Sequence, residues 1–284
     1  MRGPFGMTIQ KAQVGDIQMA YRWDGLAEGP VLMMAHAMGT SHRIWDPQVP
    51  ALADRYRILR YDWRGHGDTD APEGPYTLRQ FEDDAVGLMD ALELPQVNWI
   101  GISTGGMIGQ GLGINHADRI SSLTLCNTTS QSSPWYRGWV AERQEVVRRD
   151  GMIPVWNMTD RLWFTDAFVD AAPAEYHAVR DVFVATQVSG YLGGTSAVAD
   201  LAYRDDLHRI QCPTRIIAAG ADPVTPVDHS EAIRDRIPGA KMTVIEGQRH
   251  FSNVEVPEQF NRVLVAGLEE MIGVATANGG EGQA

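Results

Sequence analysis

The chain has 284 residues and a mass of 31.3 kDa, a length that suits either one large α/β domain or two smaller domains. Its 44% hydrophobic and 21% charged residues are ordinary for a globular protein and exclude collagen-like, low-complexity and wholly disordered chains. The 24 Lys and Arg against 36 Asp and Glu give a net charge of −12, which repels nucleic acid and anionic membranes. We therefore expect no nucleic-acid partner and no membrane partner.

The sequence contains no predicted targeting or membrane segment. Residues 1–10 hold one Arg and no apolar stretch long enough for a signal peptide, and no run of about 18 apolar residues occurs anywhere. Cys126 and Cys212 lie in or beside apolar runs, as buried thiols in a reducing compartment do. These features predict a cytoplasmic protein.

Short apolar runs alternate with amphipathic stretches in the first 130 residues, which predicts a mostly parallel sheet covered by helices. The predicted strands are Val31–Ala35, Tyr56–Tyr61, Val97–Ile102 and Ile120–Cys126. A helix with an apolar stripe from Leu78 to Leu92 lies between the second and third of them. Thr77 and Gln80 form a capping box at its start, and Pro95 limits its end.

The middle of the chain, residues 131–207, loses the strand signals and holds four of the eight tryptophans in helix-compatible stretches. The alternation then resumes with elements predicted at Thr214–Ala219 (strand), His229–Ile237 (helix), Met242–Ile245 (strand) and Glu258–Met271 (helix). We predict an α/β core formed by residues 1–130 and 208–284, interrupted by a helical insertion at 131–207. A disordered tail is expected at 275–284.

The segment from Gly101 to Gly106 lies directly between a strand and a glycine-rich helical stretch, with Ser103 at its centre. This is the context of a nucleophile elbow, in which a sharp turn lifts the serine hydroxyl above the carboxyl edge of the sheet. Two other interpretations are an incidental Ser in a glycine turn and a nucleotide loop. The Gly109–Gly113 stretch does not have dinucleotide-binding spacing and lies inside the helix.

A serine nucleophile needs a base and an orienting carboxylate, in the chain order Ser, acid, His for this type of sheet. Asp222 follows one strand and His250 follows the next, so both loops leave the same edge as Ser103. The rival acid position, after the strand ending at Cys126, holds Asn127, which cannot stabilise an imidazolium as a carboxylate does.

The other histidines fit the role of base less well. His36 lies where an oxyanion loop is expected and is interpreted as a structural hydrogen-bonding group, and His66 lies in a glycine turn. Four more fall on or near predicted helices: His116, His177, His208 and His229. Because His36 and His42 lack metal-ligand spacing and no His-Glu-x-x-His occurs, we expect neither a metal nor a cofactor. The oxyanion of acyl transfer instead needs backbone N–H donors, which Thr104 and the loop His36–Gly39 can supply.

From about Ile17 to Met271 the chain resembles the α/β-hydrolases, and within them it is most similar to 3-oxoadipate enol-lactonases. The stretches that carry the similarity are Ala35–Thr40, Trp45–Val49, Leu59–Gly67, Gly74–Thr77, Gly101–Gln110, Leu125–Thr128, Arg180–Val184 and His250–Glu255. The resemblance implies a helical cap at about 131–207 and a triad of Ser103, Asp222 and His250. It also implies an oxyanion hole formed by the N–H groups of Met38 and Thr104.

The chain departs from this family at Thr104, where Met is usual, and between Thr128 and Gly138, which is followed by Trp139. These positions line or border the pocket in related enzymes, so we expect substrate contacts from Trp135, Arg137, Trp139 and Trp163. The alternative for Trp135, Trp139, Trp156 and Trp163 is that they form the core of the cap itself. An enol-lactone acid would also need a cation, for which Arg137, Arg143 and Arg161 are candidates.

The sequence therefore predicts a serine hydrolase that cleaves a small ester or lactone through an acyl-enzyme and resembles 3-oxoadipate enol-lactonases. A general carboxylesterase, a homoserine-lactone hydrolase and a carbon–carbon bond hydrolase could use the same residues, because fold and triad report the reaction class rather than the substrate. A weakly catalytic ligand sensor with the same fold is a further alternative.

Overall fold

The structure is a computed structural model that describes residues 8–273. Over this range the backbone forms eight strands: β1 (Gln10–Val14), β2 (Ile17–Gly25), β3 (Val31–Ala35), β4 (Arg57–Tyr61), β5 (Val97–Ile102), β6 (Ile120–Cys126), β7 (Thr214–Ala219) and β8 (Lys241–Ile245). They make one sheet in the order β1-β2-β4-β3-β5-β6-β7-β8. Six neighbouring strands, β4, β3, β5, β6, β7 and β8, run parallel to one another. At one edge of the sheet, β2 pairs antiparallel with both β4 and β1. The prediction of a mostly parallel sheet is confirmed.

The helices of the same range fall into two groups. Those that flank the sheet are α1 (Val49–Leu52), α2 (Leu78–Ala91), α3 (Thr104–Asn115), α10 (Val227–Arg234), α11 (Ser252–Glu255) and α12 (Pro257–Ile272). Those between β6 and β7 are α4 (Pro134–Asp150), α5 (Met152–Asn157), α6 (Asp160–Trp163), α7 (Asp166–Ala171), α8 (Ala174–Ala185) and α9 (Val188–Ala199). The residues from 131 to 207 are called the helical segment below. The predicted tail at 275–284 lies outside the described residues.

The strands bury side chains on both faces of the sheet, because successive residues point to opposite sides. Met33 and Leu59 join the apolar cluster under α2 and α3, whereas their neighbours Leu32 and Ile58 join the cluster under α1 and α12. Burial on both faces explains why the strands appear in the sequence as continuous apolar runs. Within the described residues, no helix is both long and apolar enough to span a bilayer.

The hairpin of β1 and β2 is an element that the sequence analysis did not predict. Gly15 and Asp16 form its two-residue turn, with Gly15 at a φ of +53°. A Gly-Asp pair between alternating residues is a known hairpin signal, so the sequence contained the information. The remaining predicted strands and helices occur with shifts of up to three residues at their ends.

Candidate active site

Ser103 lies in a strained turn between the end of β5 and the start of α3. Its φ of +53° is rare for a residue with a side chain, and such a conformation costs about 1–3 kcal/mol unless its surroundings impose it. The Ser103 N–H donates to the Cys126 carbonyl (2.9 Å), and its own carbonyl accepts from the Thr128 hydroxyl (2.7 Å). Neighbouring strand and loop residues therefore hold the turn in place.

Glycines on both sides of Ser103 make this turn possible. A Cβ at Gly101 would lie 2.1 Å from the Gly105 carbonyl oxygen, and a Cβ at Gly105 would lie 2.2 Å from the Ala35 carbonyl oxygen. Both distances are far inside van der Waals contact. The two glycines are thus required by close backbone approach.

Asp222 and His250 form a buried hydrogen-bonded pair at the ends of β7 and β8. The His250 Nδ1–H donates to Asp222 Oδ2 at 2.7 Å. The Thr225 hydroxyl donates to the same oxygen (2.7 Å), and the N–H groups of Val224 and Thr225 donate to Oδ1 (2.8 and 3.1 Å). These donors fix the carboxylate and stabilise its negative charge.

The backbone around His250 is held by two contacts from other parts of the chain. The Asn127 side-chain amide donates to the His250 carbonyl at 2.6 Å, and the Phe251 N–H donates to the Trp163 carbonyl at 2.9 Å. Asn127, the residue at the rival acid position, has a φ of +43°. Its side chain thus contacts the histidine loop rather than the histidine ring.

The parallel course of β5, β7 and β8 brings Ser103, Asp222 and His250 to the same edge of the sheet. In the described part of the chain the Ser103 hydroxyl has no hydrogen bond to the His250 ring. Such bonds are often long in unliganded enzymes and shorten when substrate binds. The geometry therefore shows the Asp–His half of the arrangement directly.

Two backbone N–H groups near Ser103 are free. Among residues 8–273, neither the Met38 N–H nor the Thr104 N–H donates a hydrogen bond to the protein. Thr104 is the first residue of α3, where the N–H groups have no partner within the helix. Free backbone N–H groups beside a reacting serine can donate hydrogen bonds to a developing oxyanion and so stabilise its negative charge.

The loop of residues 36–40, called the β3 loop here, has its peptide groups fixed by side chains. The Ala37 carbonyl accepts from His36 Nδ1 and from the Thr40 hydroxyl, both at 2.8 Å. This carbonyl and the Met38 N–H belong to one peptide plane and point in opposite directions. The Gly39 N–H donates to His66 Nε2 at 2.9 Å, so the next peptide is fixed as well.

The histidines under this loop are neutral. Burial lowers the pKa of His36 to about 4 and the pKa of His66 well below its usual value. A neutral His66 is required at this position, because its Nε2 must accept from Gly39. Asp62 accepts from His42 Nδ1 at 3.0 Å; burial alone would raise the pKa of Asp62, but its bonds with His42 lower it.

The predicted substrate-contacting residues lie in different surroundings. Trp135 and Trp139 line a cavity of about 300 Å³ together with Tyr136, Leu162, Pro223 and Val224. Trp163 is buried against Phe251, with ring centroids 4.5 Å apart, and Arg137 is exposed on α4. Trp156 also belongs to the buried aromatic cluster, so two of the four tryptophans pack as core residues.

The three candidate cations differ sharply in burial. Arg161 is exposed and paired with Asp166 and Asp170, and Arg137 donates to the Ser132 carbonyl. Arg143 is only 3% exposed and, among the described residues, has no carboxylate partner. Its contacts are a hydrogen bond to the Met158 carbonyl (3.0 Å) and the face of Trp139 (3.5 Å).

Sequence reasoning missed several side chains that shape this region: Thr40, Thr225, Tyr136 and Tyr191. Thr225 lies three residues after Asp222, so a hydroxyl at that spacing could have been recognised as a turn-forming partner. Tyr191 gave no local signal, because only the packing of α4 on α9 brings it near Arg143, whereas Tyr136 lies on α4 itself, seven residues before Arg143. Across residues 8–273, no cluster of three or more potential metal ligands occurs.

Comparison with known proteins agrees with this geometry. A family model described as the alpha/beta hydrolase fold matches residues 30–257. Two 3-oxoadipate enol-lactonases of Acinetobacter baylyi, numbers 2 and 1, are 32% and 34% identical to the chain. They cover 88% and 84% of the chain, which in turn covers 93% and 89% of them.

A similar solved structure is that of the enol-lactonase from Burkholderia xenovorans LB400. It has a TM-score of 0.88 and 33% identity, over 91% of this chain and 99% of that one. The family model spans most of the chain, from the sheet through the helical segment to the loop after His250. The chain therefore belongs to the α/β-hydrolase fold family.

Proposed function

We propose that the chain is a serine hydrolase that cleaves small esters or lactones through an acyl-enzyme. The observation that carries the proposal is the strained Ser103 turn, which lies at the same sheet edge as the Asp222–His250 pair. A positive φ at a non-glycine residue persists only where the surroundings impose it, and such residues cluster at reactive sites. The similarity to enol-lactonases supports an ester or lactone as the bond that is cleaved.

In this mechanism His250 takes the Ser103 proton as the hydroxyl attacks the carbonyl carbon. The bond of Nδ1 to Asp222 leaves Nε2 as the nitrogen that accepts this proton. The free N–H groups of Met38 and Thr104 stabilise the tetrahedral oxyanion. As the oxyanion collapses, the protonated His250 gives its proton to the leaving alkoxide oxygen, which opens the lactone or expels the alcohol. His250 then deprotonates water, which attacks the acyl-enzyme, releases the acid and restores the Ser103 hydroxyl.

Residues 131–207, which we propose as the cap of this site, contain the buried cation Arg143. Burial lowers the pKa of Arg143, the direction expected for a guanidinium without a carboxylate beside it. Burial also raises the pKa of the Tyr136 and Tyr191 phenols, and the charge of Arg143 opposes that rise. A buried cation with unused donors is costly unless an anion pairs with it. We therefore propose that the substrate carries a carboxylate that binds Arg143.

Covalent labelling tests the nucleophile. Incubation with a fluorophosphonate should add one phosphonyl group, and peptide mass spectrometry should locate it on Ser103. Prior treatment with a small lactone should slow the labelling by competition. A folded protein that does not react, or that reacts at another residue, would instead favour the ligand-sensing alternative.

Replacement of Arg143 by Met tests the anion site. For a lactone with a free carboxylate we expect KM to rise about 10- to 100-fold, because hydrogen bonds to charged groups contribute about 1.5–3 kcal/mol. For the methyl ester of the same lactone, Arg143→Met should have the same KM as the unchanged protein. The matched controls are Arg137→Met and Arg161→Met, which should leave KM unchanged for both substrates. Equal KM values for Arg143→Met and the controls would remove the anion site.

A further inference from the structure

Helix α4 carries a stripe of large flat side chains, of which the proposed function uses only Arg143. Trp135, Trp139 and Arg143 are spaced four residues apart, so they lie along one face of the helix, called the α4 stripe here. The rings of Trp135 and Trp139 are stacked with centroids 6.5 Å apart, and the Arg143 guanidinium lies 3.5 Å from the Trp139 ring centroid. Tyr136 stacks on Trp139 at 5.4 Å.

Exposure falls along this stripe from the surface to the interior. Trp135 is 64% exposed, which is unusual for the largest apolar side chain, whereas Arg143 is buried. The stripe therefore connects solvent with the buried cation. A ligand that lies against the rings can place an anionic end near Arg143.

A cavity of about 300 Å³ lies between this stripe and the loop that carries the proposed acid. One wall is formed by Trp135, Tyr136 and Trp139 of α4, and the rest of the lining by Leu162, Pro223 and Val224. Pro223 directly follows Asp222, and the Val224 N–H donates to the Asp222 carboxylate. The cavity thus borders the loop whose backbone holds the Asp222 carboxylate.

We propose that this cavity is a subsite for a planar aromatic or conjugated group of the substrate, an inference that rests on the proposed function. Three aromatic rings on one wall favour a flat π-system over a saturated ring of equal size, because stacking adds to the burial of apolar area. The apolar opposite wall offers no charge or hydroxyl to a polar group. The substrates expected are esters and lactones that carry an aryl or conjugated group.

The test compares pairs of substrates that differ only in the planarity of one ring. Benzyl acetate and cyclohexylmethyl acetate form one pair, and methyl phenylacetate and methyl cyclohexylacetate form the other. Within a pair, the ratio of kcat/KM for the aromatic and saturated members is measured for each variant, so differences in intrinsic reactivity cancel between variants. For at least one pair, Trp135→Leu should lower this ratio about fivefold, whereas Trp135→Phe should retain it.

The matched control is Ile153→Ala, which removes another exposed apolar side chain of the helical segment outside the cavity. It should leave both ratios unchanged. Ratios that stay unchanged in Trp135→Leu, while both esters are still cleaved, would overturn the subsite. If Trp135→Leu only converts a dimer to a monomer in sedimentation, the stripe is a contact between copies and the subsite is wrong.

Binding measurements separate this inference from the proposed function. Phenylacetamide and cyclohexylacetamide match the second pair in shape, and calorimetry measures their binding without turnover. If no ester is hydrolysed but phenylacetamide binds about fivefold more tightly in a Trp135-dependent manner, the subsite stands and the hydrolase proposal fails. Equal binding of the two amides in that case would overturn the subsite as well.

Discussion

Two buried histidine–aspartate pairs lie at the carboxyl edge of the same sheet, but their surroundings differ. In the His250–Asp222 pair the histidine lies near a strained serine and the aspartate is held by Thr225. In the His42–Asp62 pair the aspartate also accepts the N–H groups of His42 and Asp68, and it lies so close to Gly67 that a Cβ there would be 2.1 Å away. The contrast teaches that a histidine–aspartate bond by itself serves structure as readily as chemistry.

The largest effect is expected from removal of the hydroxyl beside the first pair. Ser103→Ala should lower kcat for a small ester about 10⁶-fold, because the covalent step is lost. The measurement is the initial rate with and without the substitution, with thermal unfolding as the check on folding. Ser230→Ala, which removes another buried hydroxyl, is the control and should retain full activity. Turnover by folded Ser103→Ala at the normal rate would refute the mechanism.

Matched amide substitutions separate the two pairs directly. Asp222→Asn should lower kcat about 10⁴-fold, because the wrong imidazole tautomer is then held. Asp62→Asn should change kcat less than tenfold but lower the free energy of unfolding by about 3 kcal/mol, since it breaks a buried pair. Steady-state kinetics and urea unfolding measure the two quantities. Equal losses of kcat would mean that both pairs take part in the chemistry.

Low pH should lower the free energy of unfolding, because His36 in the β3 loop is buried in its neutral form. His36 is neutral when folded and has its pKa lowered from 6.5 to about 4, so the unfolded chain binds its proton first as the pH falls. The stability contributed by neutral His36 is complete above about pH 6.5 and is lost towards pH 4, a change of about 3 kcal/mol. Urea unfolding between pH 7 and 4 should show a smaller loss in the free energy of unfolding for His36→Gln than for the unchanged protein. If the free energy of unfolding fell equally with pH in both proteins, the lowered pKa of His36 would be contradicted.

The smallest effect is expected from the hydroxyl that supports Asp222. Thr225→Val keeps the two backbone donors but removes the 2.7 Å bond to Oδ2, so kcat should fall about tenfold with KM unchanged. Thr124→Val is the control, because the buried Thr124 hydroxyl has no partner among the described residues. Kinetics and thermal unfolding should show no loss of kcat for the control. A similar loss in both variants would indicate a general packing effect.

Much of the sheet and the positions of the proposed triad could be predicted from the sequence, because each depends on local patterns. The β5, β6 and β7 strands are apolar runs bounded by turn residues, and their predicted limits agree with the structure. The carboxyl ends of parallel strands meet at one edge, so the order of Ser103, Asp222 and His250 was enough to predict that they come together.

The parts that could not be predicted depend on packing between distant elements. Nothing in the sequence around Arg143 distinguishes it from Arg137 or Arg161, and only the packing of α4 against α5 and α9 buries it. Likewise, the sequence showed Asn127 only as a residue that cannot serve as the acid. In the structure its side-chain amide donates to the carbonyl of His250, 123 positions away. Side-chain burial and long-range polar contacts are decided by the assembled fold rather than by local pattern.

The bond from the Phe251 N–H to the Trp163 carbonyl has a consequence for protein engineering. Residues of the inserted helices hold the backbone next to His250. An exchange of these helices that is intended to alter the substrate range would therefore also alter the reaction rate. Grafting a foreign insertion between β6 and β7 would release the histidine loop unless an equivalent carbonyl is provided. A chimera should therefore retain residues 161–166, including the Arg249–Asp166 ion pair, even when every other part of the insertion is exchanged.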